Sequence, residues 1–159
     1  MKRTSKQLSN IPNYQNGDYA LYFVEDGVRG EWHPCLLDHQ DLKWQEEKPK
    51  EFHRAHRPMP LDHKSASCLG FTKESTKGED MTYREALYEI CIHSKNKVFY
   101  FELQHSGATY ELPLCFVHEL QAMMRAIVGK SPQFNYKRYE SIKRYQYDKD
   151  RFETNQHRS

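Results

Sequence analysis

Residues 98–129 constrain the fold more than any other part of the chain. Val98–Gln104 is dense in aromatic and β-branched residues and predicts a strand. His105, Ser106 and Gly107 turn the chain, and Ala108–Leu112 predicts a second strand. Pro113 is expected to open a helix, because its fixed φ suits a first helical turn and its missing donor is not needed there. Phe116, Val117, Leu120, Met123, Met124, Ile127 and Val128 then form a wide apolar stripe, and Gly129 is a good helix stop. An antiparallel meander cannot bury its apolar face alone, so this helix is expected to lie over it. The fold class expected is α+β: an antiparallel β-meander sheet backed by one long helix. Ser131 and Pro132 leave room for a second, C-terminal helix.

Other strands are readable upstream. Tyr19–Val24 is apolar throughout and predicts a strand buried on both faces or nearly so. Asp26–Gly30 predicts a hairpin turn, with Gly27 and Gly30 able to take positive φ. Glu31–Leu37 returns as a strand, and Pro34 marks it as an edge or a bulge. An exposed edge leaves a homodimer open. Ala86–His93 fits strand alternation through Ala86, Tyr88, Ile90 and Ile92, and helix spacing through Tyr83, Leu87 and Ile90. Residues 40–80 are dominated by charges, His and Pro, and read as a polar insertion with a short strand near Ser67–Phe71 or as a functional insertion. The expected organisation is a disordered basic arm over 1–16, one α+β domain over 17–130, and a basic Tyr-rich tail or helix over 131–159.

The charge is uneven. Net charge is only +2. Residues 1–16 hold Lys2, Arg3 and Lys6 with no acid, and residues 130–159 hold eight Lys or Arg against four acids, which leaves the body acidic. Basic ends on an acidic body point to nucleic acid or to an acidic protein surface. No apolar run approaches the ~20 residues of a membrane helix, and none of signal-peptide length follows the basic start. A cytoplasmic or nuclear location with no membrane contact is expected. Cys35, Cys68, Cys91 and Cys115 are widely spaced, which fits reduced thiols.

The chemistry-bearing residues form no familiar signature. The nearest metal-like spacings are His33-x-Cys35-x3-His39, His53-x2-His56, Cys91-x-His93 and Cys115-x2-His118. None matches the two close ligand pairs of a structural zinc site, and Lys50, Arg54 and Arg57 would repel a cation. No metal, cofactor or catalytic residue is therefore expected. Gly129, Lys130 and Ser131 lack the preceding glycine of a phosphate loop. What stands out is a tail of cations interleaved with rings: Lys137, Arg138, Tyr139, Lys143, Arg144 and Tyr145. Such cations neutralise phosphates while the rings stack on bases. Tyr88, Phe99, Tyr100 and Tyr110 would supply a matching sheet platform.

Residues 98–128 resemble the end of a Pur-type repeat, from a family of purine-rich single-strand binders. Leu112, Pro113, Glu119, Leu120 and Ile127 carry the likeness, and positive-cofactor-type coactivators and whirly proteins share a similar sheet-then-helix plan. The resemblance implies single-strand binding, although Glu102 and Glu111 stand where basic or aromatic residues would be expected. The function expected is a non-enzymatic binding protein for single-stranded DNA or RNA. The alternative is a protein interaction module, such as a viral or mobile-element inhibitor of a host enzyme. A third reading is a metal-dependent nuclease using His53, His56, Asp62 or His63.

Overall fold

The fold is seen in a computed structural model that describes residues 12–27, 29–77, 80–85, 90–96, 98–103 and 108–144. In chain order the elements are β1 (Tyr19–Asp26), β2 (Arg29–Leu36), α1 (His39–Glu47), α2 (Pro49–Ala55), β3 (His56–Pro58), α3 (His63–Cys68), β4 (Thr72–Lys77), β5 (Asp80–Glu85), β6 (Ile90–Lys95), β7 (Val98–Leu103), β8 (Ala108–Leu114), α4 (Val117–Val128) and α5, helical over 136–144. The protein is mixed α and β, with two antiparallel sheets. One has three strands in the order β2-β1-β3, and the other is a five-stranded meander, β4-β5-β6-β7-β8. The chain forms two compact units. The first holds the described residues up to Pro60 with Leu114–Ser131, and the second holds those of Leu61–Pro113 with those from Pro132 onward.

In the first unit, β1 pairs with β2 from Tyr19↔Leu36 to Asp26↔Arg29, and with β3 from Ala20↔Pro58 to Tyr22↔His56. Gly27 makes the turn at φ 60°. Gly30 serves a different purpose from the one expected: it lies in β2 against the Phe23 ring, where a Cβ would come within 1.8 Å of a ring carbon. Tyr19, Ala20 and Leu21 are buried, but Tyr22 and Val24 are exposed, which corrects the reading of a strand buried throughout. Tyr22 and Val24 share one face of β1 by strand alternation, and Val24 lies beyond the three residues that β3 pairs.

The polar segment 40–80 is largely regular structure. Asp38 Oδ1 accepts hydrogen bonds from the Gln40 and Asp41 amides at 2.9 and 3.0 Å, and Asp41 Oδ2 accepts one from the Asp38 amide at 2.9 Å. This reciprocal cap starts α1, and Pro49 starts α2 at its first turn. Asp62 and Ser65 repeat the reciprocal cap at α3, whose end at Cys68 and following turn occupy the place of the expected strand at Ser67–Phe71, and β4 begins just after it at Thr72. Phe52, Tyr14, Ala20 and Leu37 form a buried cluster, with Leu42, Trp44 and Cys35 half-buried around it. Tyr14 thus packs the end of the expected 1–16 arm into the unit, and its amide donates to Gln45 Oε1 at 3.1 Å.

Helix α4 begins later than expected. Pro113 lies on β8, and the helix is entered at Phe116, where Glu119 Oε1 accepts from the Cys115 and Phe116 amides at 2.9 and 2.8 Å. Gly129 closes it in the left-handed conformation at φ 74°. Val117, Leu120 and Met124 are buried, as the apolar stripe predicts, and so is the polar Gln121. The sequence placed this helix over the meander. Beyond the cap made by Glu119, its side-chain hydrogen bonds among the described residues run to the start of β1 and to Ser131: Gln121 accepts from the Tyr19 amide at 2.9 Å and donates to the Gly17 carbonyl at 2.9 Å and Ser131 Oγ at 2.8 Å. Arg125 forms an ion pair with the buried Asp18.

In the second unit the meander has one buried face, carrying Tyr83, Ile90, Ile92, Phe99 and Phe101. Residues 90–95 are strand, so alternation decides between the two readings of that run, and Ala86 and Tyr88 lie outside the described residues. Helix α3 meets this face through His63, whose Nδ1 lies 3.0 Å from the Tyr83 hydroxyl. The approach to α5 is tied to α3, with the Asn135 amide donating to the Cys68 carbonyl at 2.8 Å. No helix among the described residues is long and apolar enough to cross a membrane.

Candidate functional site

The expected tail site falls on α5. Asn135 caps this helix, its Oδ1 accepting from the Arg138 amide at 3.0 Å. Lys137 and Arg144 are exposed, and Lys143 is half-buried. Arg138 turns toward α3, where its Nε donates to Ser67 Oγ at 2.6 Å. Tyr139 is half-buried; its ring contacts Phe134 at 5.6 Å, and Lys64 Nζ sits over it at 4.1 Å. That arrangement gives Tyr139 a cation partner and fixes its ring. Tyr136, absent from the expected set, is the most exposed ring among the described residues of this region. Tyr145 lies outside the described residues, and so does the side chain of Tyr110 on β8.

Beside this helix opens a cleft of about 440 Å³ lined by Ser67, Cys68, Gly70, Gln133, Phe134, Asn135 and Arg138. Its apolar wall is Phe134, and the rest offers amides, a hydroxyl and a guanidinium. Burial pushes the Cys68 thiol up, while Arg138 and Lys64 pull it down. The thiol therefore lies within the field of both cations. Sequence reading found Arg138 but not the cleft, because Ser67 and Arg138 meet across 71 positions of chain.

The sheet platform is divided by strand alternation. Phe99 is buried, whereas Tyr100 sits on the opposite, open face beside His93 in the register. The open face is polar. Arg84 Nη2 lies 2.9 and 3.0 Å from the two Glu74 oxygens. Thr82 Oγ1 is 3.0 Å from His93 Nδ1, and His93 Nε2 is hydrogen-bonded to Glu102 Oε2. Cys91 is buried in the same stretch of sheet; its thiol is pushed up by burial, with Arg84 pulling down and Glu102 and Glu74 pushing up.

The residues of the nuclease reading serve packing and capping. His56 stacks on Phe52 with centroids 4.1 Å apart, and its Nδ1 lies 2.9 Å from the Phe52 carbonyl oxygen. His53 stacks on Tyr14 at 6.3 Å. Burial holds both imidazoles below the ordinary histidine range, and His118 likewise. Asp62 caps α3, and His63 faces Tyr83. Among the described residues no group of three or more His, Cys, Asp or Glu is placed to hold a metal ion. Cys68 and Cys91 are buried free thiols, Cys35 is half-buried and Cys115 is exposed.

No family model matches this chain, and neither the curated proteins nor the solved structures contain a match to it.

Proposed function

We propose that the protein binds single-stranded DNA or RNA across the surface of α5 and the cleft beside it. The observation that carries this reading is the cleft itself, where Arg138, Gln133 and Asn135 converge next to Phe134. Cations along the same helix suit a phosphate backbone, and amide side chains suit the hydrogen-bonding edges of unstacked bases. Exposed Tyr136 adds a ring on which a base can stack. The open face of the meander contributes little, because Glu74 and Glu102 offset its cations. The plan of strands leading into a helix over 98–128, which prompted the likeness to single-strand binders, belongs to this reading.

The test is fluorescence anisotropy of a labelled single-stranded oligonucleotide at low and moderate salt. Binding should weaken with salt, with log K falling by about 0.7 per phosphate neutralised for each tenfold rise in salt. Replacing Lys137, Arg138 and Arg144 by Ala should flatten that slope. Absence of binding at low salt would overturn the reading.

A second reading, a host protein partner, is favoured by one feature. Strand β2 is an edge strand, and its Leu36 is 51% exposed. Such an edge can accept a strand from another chain. A single host protein that co-purifies after nuclease treatment, and is lost in Leu36→Lys, would favour it.

A further inference from the structure

We propose that Thr82, His93 and Glu102 form a hydroxyl-activating triad on the open face of the meander, and that Thr82 accepts acyl groups from activated esters. The register makes the arrangement. Thr82 pairs with His93 across β5 and β6, and Glu102 pairs with Cys91, the residue two before His93 on β6. All three side chains therefore project from one face of three successive strands. His93 and Glu102 have side chains 36% and 28% exposed, so a substrate can reach them.

The chain of hydrogen bonds sets its own polarity. A carboxylate can only accept, so the bond to Glu102 places the imidazole proton on Nε2. In the neutral ring Nδ1 is then bare and accepts from the Thr82 hydroxyl at 3.0 Å. A nucleophile within hydrogen-bond reach of a base, and a base oriented by a third group, is the arrangement that activates a hydroxyl. His93 is the general base and Glu102 a positioning residue.

The surroundings select the substrate class. β5 is paired on both sides, so its backbone amides belong to the sheet ladder. Stabilisation of a developing oxyanion then falls to side chains. Arg84, whose Nη2 is paired with Glu74, lies on the same face about 7 Å along the strand from Thr82 and would stabilise the oxyanion through the charge of its guanidinium. A site so equipped suits acyl groups with a good leaving group, such as aryl esters or thioesters, rather than amides. Thr82 Oγ adds to the acyl carbonyl as its proton passes to His93 Nδ1. The bond from carbonyl carbon to leaving group breaks, and the departing anion takes that proton. Water then adds to the Thr82 ester with His93 again taking the proton. This releases a carboxylic acid and restores the hydroxyl.

The test uses the full chain and p-nitrophenyl acetate, following nitrophenolate release and locating acetyl groups by peptide mass spectrometry. Thr82 should carry the acetyl group, with an initial burst approaching one nitrophenolate per chain above that of Thr82→Val. Thr82→Ser should retain acylation. His93→Gln should slow acylation of Thr82 about 100-fold. Glu102→Gln should slow it as well, and Glu102→Asp should restore part of the rate, which a purely structural role for Glu102 would not require. The exposed Cys115 will also react, but its adduct lies in a different peptide. Acetyl groups only on amines and thiols, or acetylation of Thr82 at an unchanged rate in His93→Gln, would overturn the proposal.

Discussion

His56 and His93 each sit on a strand of an antiparallel sheet, and their surroundings are opposite. His56 is buried, stacked on Phe52, edged by Trp44 at 5.4 Å, and satisfied at Nδ1 by a carbonyl of its own helix-to-strand turn. His93 is a third exposed and has a hydroxyl on one nitrogen and a carboxylate on the other. The first is a flat ring used as packing, kept neutral by burial. The second connects two polar groups at a surface. The same residue type is thus spent on stability in one unit and is available for chemistry in the other, and the neighbours make the difference.

The comparison is broken most directly by stability measurements. Phe52→Ala should cost about 3–5 kcal/mol in denaturant unfolding, because a fully buried ring in an aromatic cluster leaves a cavity. Arg125→Met should cost about 3 kcal/mol by leaving the carboxylate of Asp18, with its side chain 3% exposed, without its ion-pair partner. By contrast His93→Gln should cost no more than about 1 kcal/mol, since its partners remain solvated. If His93→Gln destabilised as much as Phe52→Ala, His93 would be a structural pin and the contrast would fail.

A pH series sharpens the same contrast. His53, His56 and His118 are held below the ordinary histidine value by burial, so folding favours their neutral forms. Their contribution is complete above the unfolded value of about 6.5 and is lost as the pH falls below it. The melting temperature should therefore drop between about pH 6.5 and pH 5, ahead of the acid range where carboxylates titrate. His56→Leu should make that drop shallower. An unchanged acid profile in His56→Leu would mean that the buried ring does not couple to folding.

The strands were legible where residue type and fold agree. Val98–Leu103 and the Ile90–Ile92 alternation needed only β-favouring side chains and a period of two. The helices α1 to α3 were missed because their stripes are short; α1 buries no residue fully. Their signal lay in the caps instead, at Asp38 with Asp41, Pro49, and Asp62 with Ser65. Pro113 misled because a proline fits a strand end as well as a first helical turn. The cations of α5 were legible as a cluster, but the cleft and the Thr82–His93–Glu102 chain were not. Their members lie 9, 11 and 71 positions apart and meet only through register and packing. The alternation that puts Ile90 and Ile92 on one face also puts His93 on the other, but nothing local pairs His93 with Thr82 or Glu102.

The pairing of Gln121 with Tyr19, across 102 positions of chain, has a consequence for how the protein is made. The first strand emerges from the ribosome early, but the helix that satisfies its first amide emerges about 100 residues later, or roughly 5–20 s at ordinary elongation rates. The larger part of the second unit, Leu61–Pro113, lies within that interval of sequence, and the rest follows Ser131. During synthesis the N-terminal hairpin must wait, half-covered, while the meander appears. A pause in translation before residue 117 would lengthen the exposure of Tyr19 and Leu21. Chaperone capture of nascent chains should therefore be strongest before α4 is released and should fall sharply once it is.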